Sequence, residues 1–340
     1  MHTHSPPFGM SSTWLVRPRE IAQEKAVVGW IRIACFLAIL FHHTVIVPFE
    51  FVEGRALIAW LDTLRDFGVV GFFLVAGGSL RAKTRANPRM RFTASALAKV
   101  MGAALAVTAF MSAWQFLRGV DAPPFWEHFY RNLYSSNLWF LLAYALAGPL
   151  LIALDERAAA FTFACGLVLV IFPAYEIQSS PYVLHAIALA FVCMYVGYHT
   201  YGWQIRPRIA VALAASCLVA RTWLDDFGTP VYPAIDAVLR LVYGLATVHV
   251  LMAAGDRLVR RVRAPRFSNY LFVPYVVQYP LISVMEQVLK LAYMLVFGTF
   301  QTLVFATFTE TVFRMAMLFI LVAAASFAIA VVLRRHDIRL

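Results

Sequence analysis

The chain has 340 residues, of which 61% are hydrophobic and 14% are charged, and its mean hydropathy is +0.72. A soluble domain is about 45–50% apolar and about 25% charged, so this composition excludes a soluble globular class and predicts a polytopic membrane protein. The net charge of +11 would ordinarily suggest nucleic acid as a partner. The basic residues, however, fall in short clusters between apolar segments, which indicates a lipid bilayer and excludes a nucleic-acid partner.

Apolar segments of about 20 residues, the length that crosses the hydrocarbon core as a helix, follow one another along the chain. They cover residues 26–48, 67–80, 93–117, 136–154, 158–175, 182–202, 208–224, 230–254, 269–295 and 312–333. The second segment is short because charged residues precede it, and we expect its helix to begin, half-buried, near Ala56. The predicted fold class is therefore all-α, with about ten transmembrane helices.

Lysine and arginine concentrate in alternate connections, and acidic residues dominate the connections between them. By the positive-inside rule this alternation predicts that both termini are cytoplasmic, as an even number of spans requires. We expect one integral-membrane domain over 26–333, between a cytoplasmic N-terminal segment, 1–25, and a cytoplasmic tail, 334–340. The first apolar run is too long for a cleaved signal peptide and is expected to be retained as an anchor. The predicted location is the inner or plasma membrane, crossed many times.

Two ionisable residues, Arg32 and His43, lie eleven positions apart in the first apolar segment. A charged side chain at the centre of a spanning helix is disfavoured by about 2.5–3.5 kcal/mol, so it usually marks a polar cavity, a partner or a reaction. Eleven residues make about three helical turns, which puts both side chains on nearly the same face, with Arg32 nearer the cytoplasm.

Each residue of this pair has a functional and a structural interpretation. A histidine can accept a proton from a hydroxyl and later return it, and an arginine can hold a phosphate or a carboxylate. The simpler alternative is that His43 is a hydrogen-bonded structural residue and that Arg32 extends to the cytoplasmic headgroups.

Four motifs occur in order along the chain. They are Arg32 and His43 with ten residues between them, Phe72-Phe73-Leu74-Val75-Ala76-Gly77-Gly78, Leu138-Trp139-Phe140-Leu141, and Tyr270-Leu271-Phe272-Val273-Pro274-Tyr275-Val276-Val277-Gln278-Tyr279-Pro280. In this order and spacing the chain resembles the acyltransferase-3 family of integral-membrane acyltransferases. The resemblance implies about ten transmembrane helices and the O-acylation of an exported carbohydrate or related acceptor from a cytoplasmic acyl-CoA. The first motif is the specific one, since the other three are common in membrane helices.

The chain departs from the family pattern at several polar positions. Asn137 stands where the family usually has a histidine, Gln278 replaces the histidine of the late motif, and Lys99 is what remains of a basic pair in the third segment. Asn137 and Gln278 can donate and accept hydrogen bonds but cannot carry a proton. Two alternatives follow: His43 performs the acid–base chemistry alone, or the chain is a diverged member with another substrate or without catalysis.

The motifs and the polar residues together predict a site. His43 and Arg32 are the predicted catalytic residues. The predicted substrate-binding residues are His42, Lys99, Asn137, Trp139, Gln278, Asp236 and Arg240. Asp236 and Arg240 are four apart, a spacing that equally favours a structural ion pair on one helix. No metal site and no bound cofactor are expected, and acyl-CoA is the expected co-substrate, with acetyl-CoA first and a succinyl donor as the alternative. The remaining polar residues of the spans, His185, His199, His249 and Glu286, are expected to be packing or interface residues.

Two other classes of function stay open. A small-molecule transporter or flippase would also carry polar residues in its spans, although paired, glycine- or proline-broken spans in two matching halves are not evident. A non-catalytic, diverged membrane scaffold would tolerate the loss of family residues. It predicts that substitutions of Arg32 and His43 change the abundance of the protein and nothing else.

Overall fold

The structure is a computed structural model and describes residues 15–16, 21–46, 55–86, 94–117, 125, 127, 129, 138–171, 181–200, 204–225, 232–259, 262, 266–297 and 308–336. The helices of 16 or more residues in these ranges are α1 (Ile21–Phe41), α2 (Arg55–Ala86), α3 (Ala94–Leu117), α4 (Leu138–Ala153), α5 (Glu156–Ile171), α6 (Pro181–His199), α7 (Pro207–Asp225), α8 (Tyr232–Val259), α9 (Phe272–Phe297) and α10 (Phe308–Arg335). A π-helical turn, His42–Ile46, continues α1, and a short 3-10 helix, Arg266–Tyr270, precedes α9. Two short strands, β1 (Leu15–Val16) and β2 (Gln204–Ile205), pair antiparallel.

The helical class predicted from the sequence is confirmed. Each predicted apolar segment overlaps one of the helices α1 to α10, and α2 begins at Arg55, next to the expected start at Ala56. Within the described residues, three segments are long and apolar enough to cross a membrane, namely Ala26–Val45, Ala234–Val259 and Val312–Arg335. The chain is therefore an all-α membrane protein, and the number of helices that cross the bilayer stays a prediction.

Several helices expose large apolar side chains on their outer faces. Leu295 on α9, Phe161 on α5 and Trp223 on α7 are 78%, 72% and 70% exposed. Such surfaces are costly in water but match the hydrocarbon of a bilayer, where an exposed apolar side chain loses nothing. The outer faces of these three helices thus agree with a lipid environment.

Helix α2 is central, because it contacts α1, α6 and α8. Its approach to α6 depends on two glycines: a Cβ atom on Gly77 would collide with the carbonyl oxygen of Met194, and one on Gly197 would collide with the carbonyl oxygen of Leu74. Small residues are what allow two membrane helices to bring their backbones together. This contact fixes α2, and with it the residues that α2 presents to α1.

Candidate functional site

Arg32 lies in the apolar helix α1 and is held by α2. Its Nη2 atom donates a hydrogen bond to Ser79 Oγ over 3.3 Å. Arg32 is partly buried rather than exposed, and the hydrogen bond to Ser79 orients its charged group toward α2. Ser79 was not identified from the sequence, although it directly follows the glycine pair that ends the second motif.

His42 and His43 lie in the π-helical turn that continues α1. Their rings are 5.0 Å apart in an edge-to-face arrangement; His42 is buried and His43 is partly buried. The turn contacts both α2 and α10. The turn carries the residue that the sequence predicts to transfer the proton.

Arg32 and His43 are not adjacent in space. Eleven helical residues separate them by about 16 Å along the axis. Nine of the eleven steps between them are α-helical and two fall in the wider π turn. The π turn shifts the direction of the His43 side chain by only a fraction of a turn, so both side chains still point to nearly the same face. The two side chains therefore lie about three helical turns apart on nearly the same face of α1.

Gln278 is fully buried in α9. Neither its Nε2 nor its Oε1 atom has a hydrogen-bond partner in the part of the chain that the structure describes. One turn earlier, Tyr275 packs edge-to-face on Phe72 of α2, with ring centroids 5.5 Å apart. Phe72 and Ser79 are seven residues apart and share a face of α2. Gln278 thus lies one turn from a side chain that packs on α2, the helix that also carries Ser79.

Asp236 and Arg240 form the expected ion pair on α8, in which Arg240 Nε donates to Asp236 Oδ2. The structure adds two residues that the sequence did not connect with this pair. Arg221 on α7 donates from Nε to Asp236 Oδ1 over 2.8 Å and from Nη1 to Asp66 Oδ2 on α2 over 3.3 Å. Arg240 Nη1 also reaches Asp66 Oδ1 at 3.5 Å. Two carboxylates and two guanidinium groups thereby alternate in a closed ring that joins α2, α7 and α8.

The ring is largely removed from solvent, since the side chains of Arg221, Asp66 and Asp236 are 8%, 9% and 13% exposed. Buried charges are tolerated only when they are paired and hydrogen-bonded. Because each carboxylate here contacts both arginines, pairing accounts for the position of Asp236 and Arg240. Their predicted contact with an acceptor stays a prediction.

Replacing Arg221 with methionine is expected to destabilise the protein by about 3–5 kcal/mol, the cost of removing one partner from a buried ion pair. The measurement is the free energy of unfolding of the purified protein in mixed micelles. The control is Lys290→Met, which removes the more exposed Lys290–Glu286 ion pair on α9; an i,i+4 pair of this kind contributes about 0.2–0.5 kcal/mol. Equal stability of the two variants would contradict a buried, mutually dependent ring.

Three predicted substrate-binding residues are not characterised by the structure. Asn137 lies outside the described residues, and Lys99 and Trp139 fall within α3 and α4 but their side chains are not described. Two of the residues expected to serve packing have partners in the structure. His249 Nδ1 accepts the backbone N–H of Ile205 at 3.4 Å, and Glu286 pairs with Lys290 at 2.8 Å. Among the described residues, no three histidine, cysteine or acidic side chains lie close enough to hold a metal ion.

No protein-family model, curated protein or solved structure matches this chain. The likeness to the acyltransferase-3 family accordingly rests on the motifs quoted from the sequence.

Proposed function

We propose that the chain is a membrane O-acyltransferase that moves an acyl group, acetyl first and succinyl as the alternative, from a cytoplasmic acyl-CoA to a hydroxyl of a carbohydrate or related acceptor. One observation carries the proposal. Arg32 is oriented by Ser79 inside an apolar helix bundle, and His43 lies three turns further along the same face of the same helix. An intramembrane ionisable pair of this kind is costly to retain without a function.

The proposal includes ten spans with both termini on the cytoplasmic side of an inner or plasma membrane. Two contacts support this topology. The N-terminal strand β1 pairs with β2, which lies in the basic connection before α7. The C-terminal ends of α2 and α6 also meet, since Arg81 Nη1 donates to the Tyr198 hydroxyl over 3.0 Å. Both contacts join segments that the positive-inside rule assigns to the same side.

The donor approaches from that side in the proposed mechanism. Its phosphates bind near the basic residues at the end of α2, which include Arg81 and Lys83, and near Lys99, while Arg32 holds an anionic group deeper in the bundle. Arginine suits this role because its planar guanidinium forms charge-assisted hydrogen bonds to phosphate and carboxylate oxygens.

The proposed reaction moves the acyl group from the sulfur atom of coenzyme A to an oxygen atom of the acceptor. His43 accepts the proton of the acceptor hydroxyl, and the hydroxyl oxygen attacks the thioester carbonyl. The tetrahedral intermediate collapses as the carbon–sulfur bond breaks, and the leaving thiolate receives the proton from His43. Gln278 donates a hydrogen bond from Nε2 to the oxyanion, the group at which preorganised donors are most effective.

The proposal is tested by mass spectrometry of cell-envelope glycans and small glycosides from cells with and without the gene. Loss of an acetyl or succinyl increment on a glycan supports it, especially if purified protein restores the increment from the matching acyl-CoA. Unchanged acylation in the deletion strain overturns it. Redistribution of an unmodified acceptor across the membrane would instead identify a transporter.

A further inference from the structure

Ser326 on α10, like Gln278 on α9, is a polar residue that is fully buried. It occupies the centre of a buried stripe, with Val322 one turn before it and Ala330 one turn after it, all fully buried. Its Oγ atom has no hydrogen-bond partner among the described residues. Hydroxyls in helices usually bond to the carbonyl four residues earlier, as Ser112 does here with Thr108 at 2.7 Å. Ser326 departs from that pattern.

Ser326 and Gln278 lie at the same level of the bundle. Helices α9 and α10 contact each other, and Phe327 in the second half of α10 packs on Phe267, just before α9 begins, with ring centroids 5.4 Å apart. The two helices therefore run antiparallel. Gln278 precedes the end of α9 at Phe297 by about 19 residues, and Ser326 follows the start of α10 at Phe308 by about 18. At about 1.5 Å per residue, both lie about 27–29 Å from the connected ends.

Ring contacts tie the same level to the first two helices. Phe327, the neighbour of Ser326, packs on Phe36 of α1 with ring centroids 6.0 Å apart. Tyr275, one turn from Gln278, packs on Phe72 of α2. Arg32 is one turn of α1 from Phe36. The two uncharged polar residues therefore lie between the levels of Arg32 and His43.

Buried polar groups are almost always hydrogen-bonded, and the exceptions in native proteins usually have a ligand, an ion or a functional role. Ser326 and Gln278 supply two donors, Oγ–H and Nε2–H, and neither residue carries a charge. Two such donors suit one uncharged oxygen atom that gains negative charge during reaction. The anionic part of a ligand would instead favour Arg32.

We infer that Ser326 and Gln278 together bind the carbonyl oxygen of the acyl group on the donor thioester. The inference rests on the proposed function and adds Ser326 as the second donor to that oxygen. Because the carbonyl is absent from free coenzyme A, the site distinguishes acyl-CoA from the product that leaves.

The test measures equilibrium binding of acetyl-CoA and of free coenzyme A to the full-length protein in nanodiscs. The wild type is expected to prefer acetyl-CoA. Ser326→Ala and Gln278→Met are each expected to weaken acetyl-CoA binding by about threefold to tenfold, the range of one lost hydrogen bond, without changing the affinity for free coenzyme A. Neither substitution is expected to lower the unfolding temperature of the ligand-free protein, because each removes a buried polar group that lacks a partner within the described chain.

Ser112→Ala is the matched control, since Ser112 is also fully buried but donates to Thr108; its preference for acetyl-CoA should equal that of the wild type. If Ser326→Ala and Gln278→Met keep the wild-type preference, the inference is overturned while the proposed function stands. A lower unfolding temperature with unchanged preference overturns it too, because the two side chains are then structural. If the wild type binds neither ligand, the proposed function fails together with the inference.

Discussion

Replacing Gly77 with alanine is expected to prevent the native packing of α2 on α6. The added Cβ atom would collide with the carbonyl oxygen of Met194, a backbone atom that cannot move aside as a side chain can. Overpacking typically costs about 1–3 kcal/mol and sometimes more, and we expect this variant at or above the upper limit. Gly197→Ala should have a similar effect through the carbonyl oxygen of Leu74.

The measurement is the thermal unfolding of purified protein in detergent, together with the yield of monodisperse protein. Gly102→Ala on α3 is the control, because a Cβ atom there meets nothing within 4 Å. Alanine favours a helix over glycine by about 0.8–1.0 kcal/mol, so this variant should be as stable as the wild type or slightly more stable. If Gly77→Ala and Gly102→Ala unfold at the same temperature, the close approach of α2 and α6 is wrong.

Replacing His43 with glutamine is expected to reduce the rate of acyl transfer by about 10²–10⁴-fold, the usual contribution of a general acid–base residue. Glutamine keeps hydrogen-bonding capacity but cannot accept and return a proton. Because His43 is only partly buried, the unfolding temperature should change little. The measurement is transfer from labelled acetyl-CoA to the acceptor identified from the cell envelope, normalised to folded protein.

His185→Gln is the matched histidine control, since His185 lies on α6 and its Nδ1 atom hydrogen-bonds to the Leu169 carbonyl oxygen of α5 at 3.2 Å. Its transfer rate should match that of the wild type. A His43→Gln protein that transfers at the wild-type rate removes the proposed mechanism. A substitution that changes the abundance of the protein and nothing else would favour the scaffold alternative.

The helices could be predicted from the sequence, and so could a contact within one helix, but the contacts between helices could not. Helices α1 to α10 follow the apolar segments because hydropathy is a local property. The Asp236–Arg240 pair was also predictable, since four-residue spacing puts the two side chains on one helix face. Arg221 was missed because its contact with Asp66 depends on how α7 packs against α2, which no local pattern encodes.

The residues of the candidate site also fall into those that the sequence could identify and those that only the structure identifies. Arg32 and His43 could be identified because charge and apolar surroundings conflict within one segment. Ser79 and Ser326 are ordinary serines in the sequence, and their importance depends on a hydrogen bond from another helix or on the lack of one among the described residues. The π-helical turn at His42 and His43 could not be predicted from the sequence either, because it changes the hydrogen bonding of the backbone without changing the hydropathy of the segment.

The ring of Asp66, Arg221, Asp236 and Arg240 also has a consequence for how the protein is made. Asp66 is 155 residues from Arg221 and 174 residues from Arg240 along the chain. At about 5–20 residues per second, the ribosome adds Arg221 roughly 8–31 s after Asp66. During that interval neither arginine of the ring exists. The two carboxylates and two guanidinium groups can therefore pair only after α7 and the first turns of α8 have been made, so this part of the bundle is completed late.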